Sequence, residues 1–180
     1  KNQKFVMDND NIKWKFDFNS KHSNFIGYEH EQSSSKVINS AVVDDKVYII
    51  LDQTPFYSES GGQIGDTGNI SNNNFSANVI DTQKNGDFII HVCNAVRGDI
   101  APGMGVSVSI NSERRKNIKI NHSATHLLHQ ALKEVLGSHI SQAGSLVHPD
   151  YLRLDITHPS KIDQASIAKI ENLVNKKNLK

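Results

Sequence analysis

The chain has 180 residues, enough for one substantial domain or two small ones, and 37% apolar with 22% charged residues is a globular composition. Lys and Arg total 20 against 19 Asp and Glu, so no global field marks a nucleic-acid protein, and any RNA contact must use a local patch. A single cysteine excludes an internal disulfide framework and fits a reducing cytosol. No apolar run approaches bilayer length, and the start shows no signal-peptide pattern. The opening KNQKFVMDND lacks an initiator Met, and the expectation is a soluble, cytoplasmic piece of something longer.

Residues 1–24 form a polar lead-in with Phe5, Trp14, Phe16 and Phe18 as isolated anchors. Within it Lys13–Phe18 alternates and predicts a short edge strand or a surface-lying segment. Residues 25–110 read as β. Lys36–Val43, Lys46–Leu51, Phe75–Asp81, Asp87–Cys93 and Val106–Ile110 are short stretches rich in Val and Ile. Asp44-Asp45, Asn72–Asn74, Lys84-Asn85-Gly86 and Ala101-Pro102-Gly103 separate them, and Asn85-Gly86 is the strongest hairpin signal. Ser33–Ser35 reads as a loop, and no internal repeat is present. Short strands at this spacing predict a small closed or partly closed barrel.

Residues 111–180 switch to α+β character. Ser112–Ile120 is helical and basic, with Arg114, Arg115, Lys116 and Lys119 able to meet phosphates or simply to form a solvated face. Asn121–Gly137 is amphipathic: Ala124, Leu127, Leu128, Ala131, Leu132, Val135 and Leu136 recur at three- and four-residue spacing. Asn121 or Ser123 suits its cap and Gly137 its end. Two β-like runs follow, His139–Val147 and Tyr151–Thr157, joined at His148-Pro149-Asp150. A last helix starts near Ile162, with Ile167, Ile170, Leu173 and Val174 on one face.

His122 and His126 lie one helical turn apart, so their imidazoles share a side and can grip one divalent ion, zinc being the first candidate for nitrogen ligands. A zinc protease would need Glu directly after the first histidine; Ser123 stands there, so that general base is absent. GGQIGDTG, residues 61–68, is no nucleotide loop. It lies between β-like segments, lacks a Lys-Ser/Thr ending and opens no helix. Its glycines allow positive φ and close backbone approach, which a turn cluster in a barrel would equally use.

NHSATHLLHQALKEVLGSHISQAGSLV (Asn121–Val147) followed by LRLDITH (Leu152–His158) resembles the editing domain of the alanyl-tRNA synthetase family. Threonyl-tRNA synthetases and free-standing editing proteins share the shorter core. Upstream, TPFYSESGGQIGDTG (Thr54–Gly68) is similar to that family's glycine-rich loop, and the match covers most of residues 25–178. The resemblance implies a small β-barrel followed by an α+β editing core. It implies hydrolysis of the ester that links Ser or Gly to the transfer RNA for alanine. Size discrimination rejects such small differences poorly, which is why a second, hydrolytic sieve is needed. ATP and Mg2+ belong to the family's aminoacylation domain, which is not visible here.

The resemblance also implies roles for single residues. His122 and His126 match half of a zinc site, whose other half is a Cys-x-x-x-His. That half has no match: Cys93 lies upstream with Arg97 four residues on, and reads as a buried strand residue. Thr125 is a candidate to bond the hydroxyl that distinguishes serine, or is back-bonded to its own turn. Gln142 matches a polar pocket position. Gly61, Gly62, Gln63, Gly65 and Asp66 are expected in a loop facing the RNA 3′ end. Arg153 and Asp155 share one strand face; a salt bridge is their simpler explanation, with a supporting role at most. His129 reads as a helix-face residue. The expected partners are the mischarged tRNA and the remainder of a synthetase chain, with no membrane. The alternatives are a free-standing deacylase, a catalytically silent tRNA-binding module, or a domain with surface histidines and no ligand.

Overall fold

The computed structural model describes residues 22–178. Within it the chain divides into two compact units: residues up to 58 together with Gly65–Asn111, and Glu59–Ile64 together with the chain from Ser112 onward.

In chain order the first unit contains β1 (Asn24–Phe25), β2 (Gln32–Val43), β3 (Lys46–Leu51), β4 (Gln53–Thr54), β5 (Gly68–Ser71), β6 (Ser76–Asn85), β7 (Phe88–Arg97) and β8 (Gly105–Ile110). Six of these close an antiparallel barrel in the order β2-β3-β7-β6-β5-β8, and closure leaves those strands no open edge. The long β2 serves two neighbours. Its first residues, Gln32–Lys36, pair with β8, and after a register shift Asn39–Val43 pairs with β3. Two-residue hairpins join β2 to β3 through Asp44-Asp45 and β6 to β7 through Gly86-Asp87. Asp44 and Gly86 have φ of 54° and 56°, the positive values that primed turns demand.

Alternation along the strands sorts the apolar side chains. Ile49 and Leu51 join Phe56, Ile70, Val79, Cys93 and Val108 in one buried cluster, while Tyr48 and Ile50 join Ala41, Ile90 and Val92 in another. Among them sits a fully buried histidine. His91 Nδ1 donates to Ile49 O at 2.9 Å, its Nε2 accepts from Thr54 Oγ1 at 2.8 Å, and Phe56 meets the ring edge-on at 5.1 Å. Burial lowers its pKa to about 4.

One expectation changes here and one strand is added. Ser33–Ser35 is strand rather than loop, paired with Val106–Val108 of β8. The β5 strand was not anticipated, because GNIS offers one apolar residue and no visible alternation. The strand read at Lys13–Phe18 lies outside the described residues.

The second unit contains α1 (Ser112–Leu136), β9 (Ser141–Val147), β10 (Leu152–Thr157) and α2 (Gln164–Asn178). Helix α1 runs unbroken from the basic segment through the histidines, so Asn121 and Ser123 are interior residues and not caps. Asn121 instead donates from Nδ2 to His148 O at 2.7 Å and Pro149 O at 3.1 Å. Gly137, with φ of 116°, ends the helix as expected, its N–H returning to Lys133 O at 3.0 Å. Asp163 caps α2 by accepting from Ser166 N–H and Oγ at 2.9 Å, bonds that lower its carboxyl pKa. Ala131, Leu132, Ile140 and Ile170 form the core of this unit, with Leu154 and Ile156 of β10 packed against it. No helix among the described residues is long and apolar enough to cross a membrane.

Candidate functional site

Within the second unit, Ser60–Gln63 is a tight turn closed by two backbone bonds. Ser60 N–H donates to Gln63 O at 3.1 Å and Gln63 N–H to Ser60 O at 2.9 Å. Its central residues Gly61 and Gly62 have φ of 58° and 84°, so both positions need glycine's freedom. At Gly62 space is a second constraint: a Cβ there would run into Ser145 Oγ and lie 2.6 Å from Ser145 O. The segment then runs alongside β9. Val147 N–H donates to Gly62 O at 2.7 Å and Ile64 N–H to Val147 O at 3.3 Å.

This docking brings the buried Gln63 to the histidine helix. Gln63 Oε1 lies 3.0 Å from His122 Nδ1. An amide oxygen only accepts, so Nδ1 carries the proton and the lone pair of the neutral ring is on Nε2. That is one of the two tautomers in which an imidazole can ligate a metal, here through Nε2, with a second residue fixing its ring. The His126 ring follows one turn later, 5.0 Å from that of His122 between centroids and tilted by 46°. His126 is exposed and His122 half-buried. Among the described residues no group of three or more His, Cys, Asp or Glu could hold a metal ion. The pair therefore offers two nitrogen donors, which fits part of a zinc sphere and not the whole of a four-ligand one.

Thr125, between the histidines, is buried, and its Oγ1 donates to Asn121 O at 2.8 Å. Its hydroxyl proton is therefore committed to its own helix turn, leaving oxygen lone pairs to accept. Gln142 is exposed on β9 and donates from Nε2 to Ser145 Oγ at 3.1 Å. Ser145 is thus touched from one side by Gln142 and from the other by the glycine turn. Arg153 and Asp155 project from β10 as an exposed ion pair at 3.1 Å, an arrangement that adds little stability. Gly144 is paired with Asp155 across the hairpin, and a Cβ there would lie 2.9 Å from Asp155 Oδ2, the far end of an exposed side chain that can turn aside. Of the basic run, Lys116 and Lys119 are exposed, Arg114 is half-buried and Arg115 is buried at 4% exposure. His129 keeps Nε2 buried without a hydrogen-bond partner.

The rest of the glycine loop belongs to the first unit. Asp66 is buried there and accepts Tyr57 N–H on Oδ2 at 2.7 Å, while Thr82 Oγ1 donates to Asp66 O at 2.9 Å. Gly65 has no space for a Cβ against Thr82 and Asp81. Gly65 and Asp66 thus brace the loop inside the barrel unit, whereas Gly61, Gly62 and Gln63 belong with the histidine pair. Cys93 is buried and its thiol pushed up to about 12, which makes it inert as a nucleophile.

Residues 2–114 match the family model described as tRNA synthetases class II (A). The chain is 43% identical over 161 residues to an alanine–tRNA ligase of Mesorhizobium japonicum, covering 84% of this chain and 18% of that protein. It is 40% identical over 172 residues to the alanine–tRNA ligase of Rhizobium meliloti, covering 89% of this chain and 19% of that protein. The chain therefore spans less than a fifth of the length of these relatives.

Proposed function

The chain belongs to the class II (A) tRNA synthetase family, and on that premise we propose that this part of it is a hydrolytic editing region acting on mischarged tRNA. The substrate is the ester joining Ser or Gly to the 3′ end of the tRNA for alanine. The whole protein would join alanine to that tRNA with ATP and Mg2+, using residues outside this chain. The observation that carries the editing reading is the His122–His126 pair with Gln63 fixing the His122 tautomer.

His122 and His126 are the residues that would hold a zinc ion. Such an ion, when bound, supplies a Lewis acid for a carbonyl oxygen or an acidified water. The chain's own residues have other work. Gln63 orients His122, and the Gly61-Gly62 turn lets backbone approach an RNA end without side-chain bulk. Thr125 Oγ1, already donating to Asn121 O, has lone pairs to accept the serine hydroxyl proton. An alanyl ester offers no such proton, which is a basis for sparing the correct product. Gln142 contributes hydrogen bonding from the β9 edge.

A second reading is an RNA-binding module without hydrolysis, which the two-donor count favours. The discriminating experiment follows release of serine from seryl-tRNA for alanine, with alanyl-tRNA as the spared comparison. The editing reading expects faster release from the seryl ester, abolished by His122→Ala. Tight tRNA binding with no ester cleavage above background, by a zinc-loaded protein, favours the binding module.

A further inference from the structure

Helix α1 carries a short cationic ladder that the hydrolytic reading leaves unused. Of its basic N-terminal residues, Arg114 and Arg115 have partners of their own, and Arg115 is buried. Lys116 and Lys119 are exposed. Neither has a carboxylate three or four positions away, the spacing at which helix ion pairs form, and α1 holds no carboxylate between Glu113 and Glu134. This is a run of one sign, not the alternating charge of an ion-paired, solvated face. Lys119 precedes His122 by three residues and His126 by seven. At 3.6 residues per turn these three side chains fall within about 60° of one another around the helix. Lys116 stands one turn before Lys119, roughly another 60° round. Lys133, seven residues beyond His126 on the same line, is exposed too.

We propose that Lys119 receives the phosphate next to the 3′-terminal nucleotide and Lys116 the phosphate before it. The RNA strand then runs 5′ to 3′ from the N-terminal turns of α1 toward the His122–His126 pair. A terminal ester held at the histidines leaves RNA on one side only, so the strand must take one of two directions along α1. Toward the N-terminus it meets successive exposed ammonium groups, each about 4.5 Å further along the axis, at the end where the helix dipole favours anions. Toward the C-terminus it meets Lys133 alone, about 10 Å past His126, with the exposed Glu134 next in the chain. A single strand bears one charge at every linkage, so consecutive cations match it and an isolated one does not. That the ligand is an RNA ester rests on the function proposed above; the polarity rests on the order of side chains along α1.

The test measures binding of the 180-residue chain to an RNA minihelix with a single-stranded 3′ end and no amino acid attached, over a range of KCl concentrations. Lys119→Gln and Lys116→Gln should each reduce the slope of log affinity against log salt by about 0.7, the single-strand value for one phosphate. Their unfolding midpoints should stay at wild type, because both side chains are exposed. Lys133→Gln should leave the slope unchanged. A neutral methylphosphonate at the linkage nearest the 3′ end should weaken wild-type binding and add nothing to Lys119→Gln. Placed one linkage earlier, it should be silent in Lys116→Gln instead. An unchanged slope in either variant, an equal loss in Lys133→Gln, or the reverse matching of lysines to linkages overturns the ladder while RNA binding stands. Failure of the wild-type chain, with or without zinc, to bind the minihelix overturns the RNA reading and the ladder with it.

Discussion

His122 holds its tautomer through one hydrogen bond, from Nδ1 to Gln63 Oε1 at 3.0 Å. Gln63→Leu keeps most of the volume and removes the acceptor, so zinc affinity should fall about 10- to 100-fold, as losing such a supporting partner commonly costs. Gln63→Glu, which still accepts, should retain it. Competition with a chromophoric chelator reads both, and unchanged affinity in Gln63→Leu contradicts the positioning role. The partnership joins residues 59 positions apart, so nothing in the spacing of either motif announces it. The glycines before Gln63 were legible as a turn, and His122 as a candidate ligand by its spacing from His126; the meeting of the two segments depends on the turn docking along β9. In the barrel, His91 yields a prediction of a different kind. Unfolded, its imidazole takes a proton near the ordinary 6.5, and folded only near about 4. Its contribution is intact above the unfolded value, shrinks as pH falls through that interval, and is gone below the folded one. The gap corresponds to roughly 3 kcal/mol as an upper measure. Urea midpoints followed from pH 7 to pH 4 should therefore fall, and His91→Gln should flatten the slope; a midpoint independent of pH contradicts this reading of the buried ring.

At the scale of elements, the glycine turn separates two reasons for glycine. Gly61 has positive φ but open space around a Cβ, whereas Gly62 has positive φ and Ser145 in the way. Gly61→Ala should cost about 1 kcal/mol, the ordinary strain of a left-handed residue. Gly62→Ala should cost on the order of 2–3 kcal/mol, since strain and collision add. Denaturant midpoints of the two variants decide; equal losses would mean that Gly62 can shift away from β9. Element existence was readable where period and turn chemistry agreed. Asn85-Gly86 between apolar runs gives the β6–β7 hairpin, and Lys46–Leu51 is a strand at the anticipated bounds. Legibility failed where local chemistry pointed to a terminus that tertiary contacts override. Asn121 is a good cap by type, yet its amide is used to hold the β9–β10 turn, and the helix continues through it. The serines of residues 33–35 look like loop, but pairing with β8 makes them strand.

For the molecule as a whole, the informative division is that residues 59–64 leave the barrel unit and join the helical one. A chain-order reading cannot find this, because these residues lie between barrel strands in sequence. It assigns the parts of the glycine loop different tasks. Gly65 and Asp66 are packed within the barrel, while Gly61, Gly62 and Gln63 accompany the histidines. Family membership and the 40–43% identities to alanine–tRNA ligases fit that assembly of motifs, and the editing chemistry is the part that needs measurement. The most direct one quantifies zinc and seryl-tRNA hydrolysis together, in this chain and in a longer one that adds the Cys-x-x-x-His the resemblance implies. The account predicts weak zinc binding and slow hydrolysis in the 180-residue chain, both restored in the longer one and both lost again with His122→Ala. A longer chain that binds zinc through His122 yet leaves the seryl ester intact would contradict it.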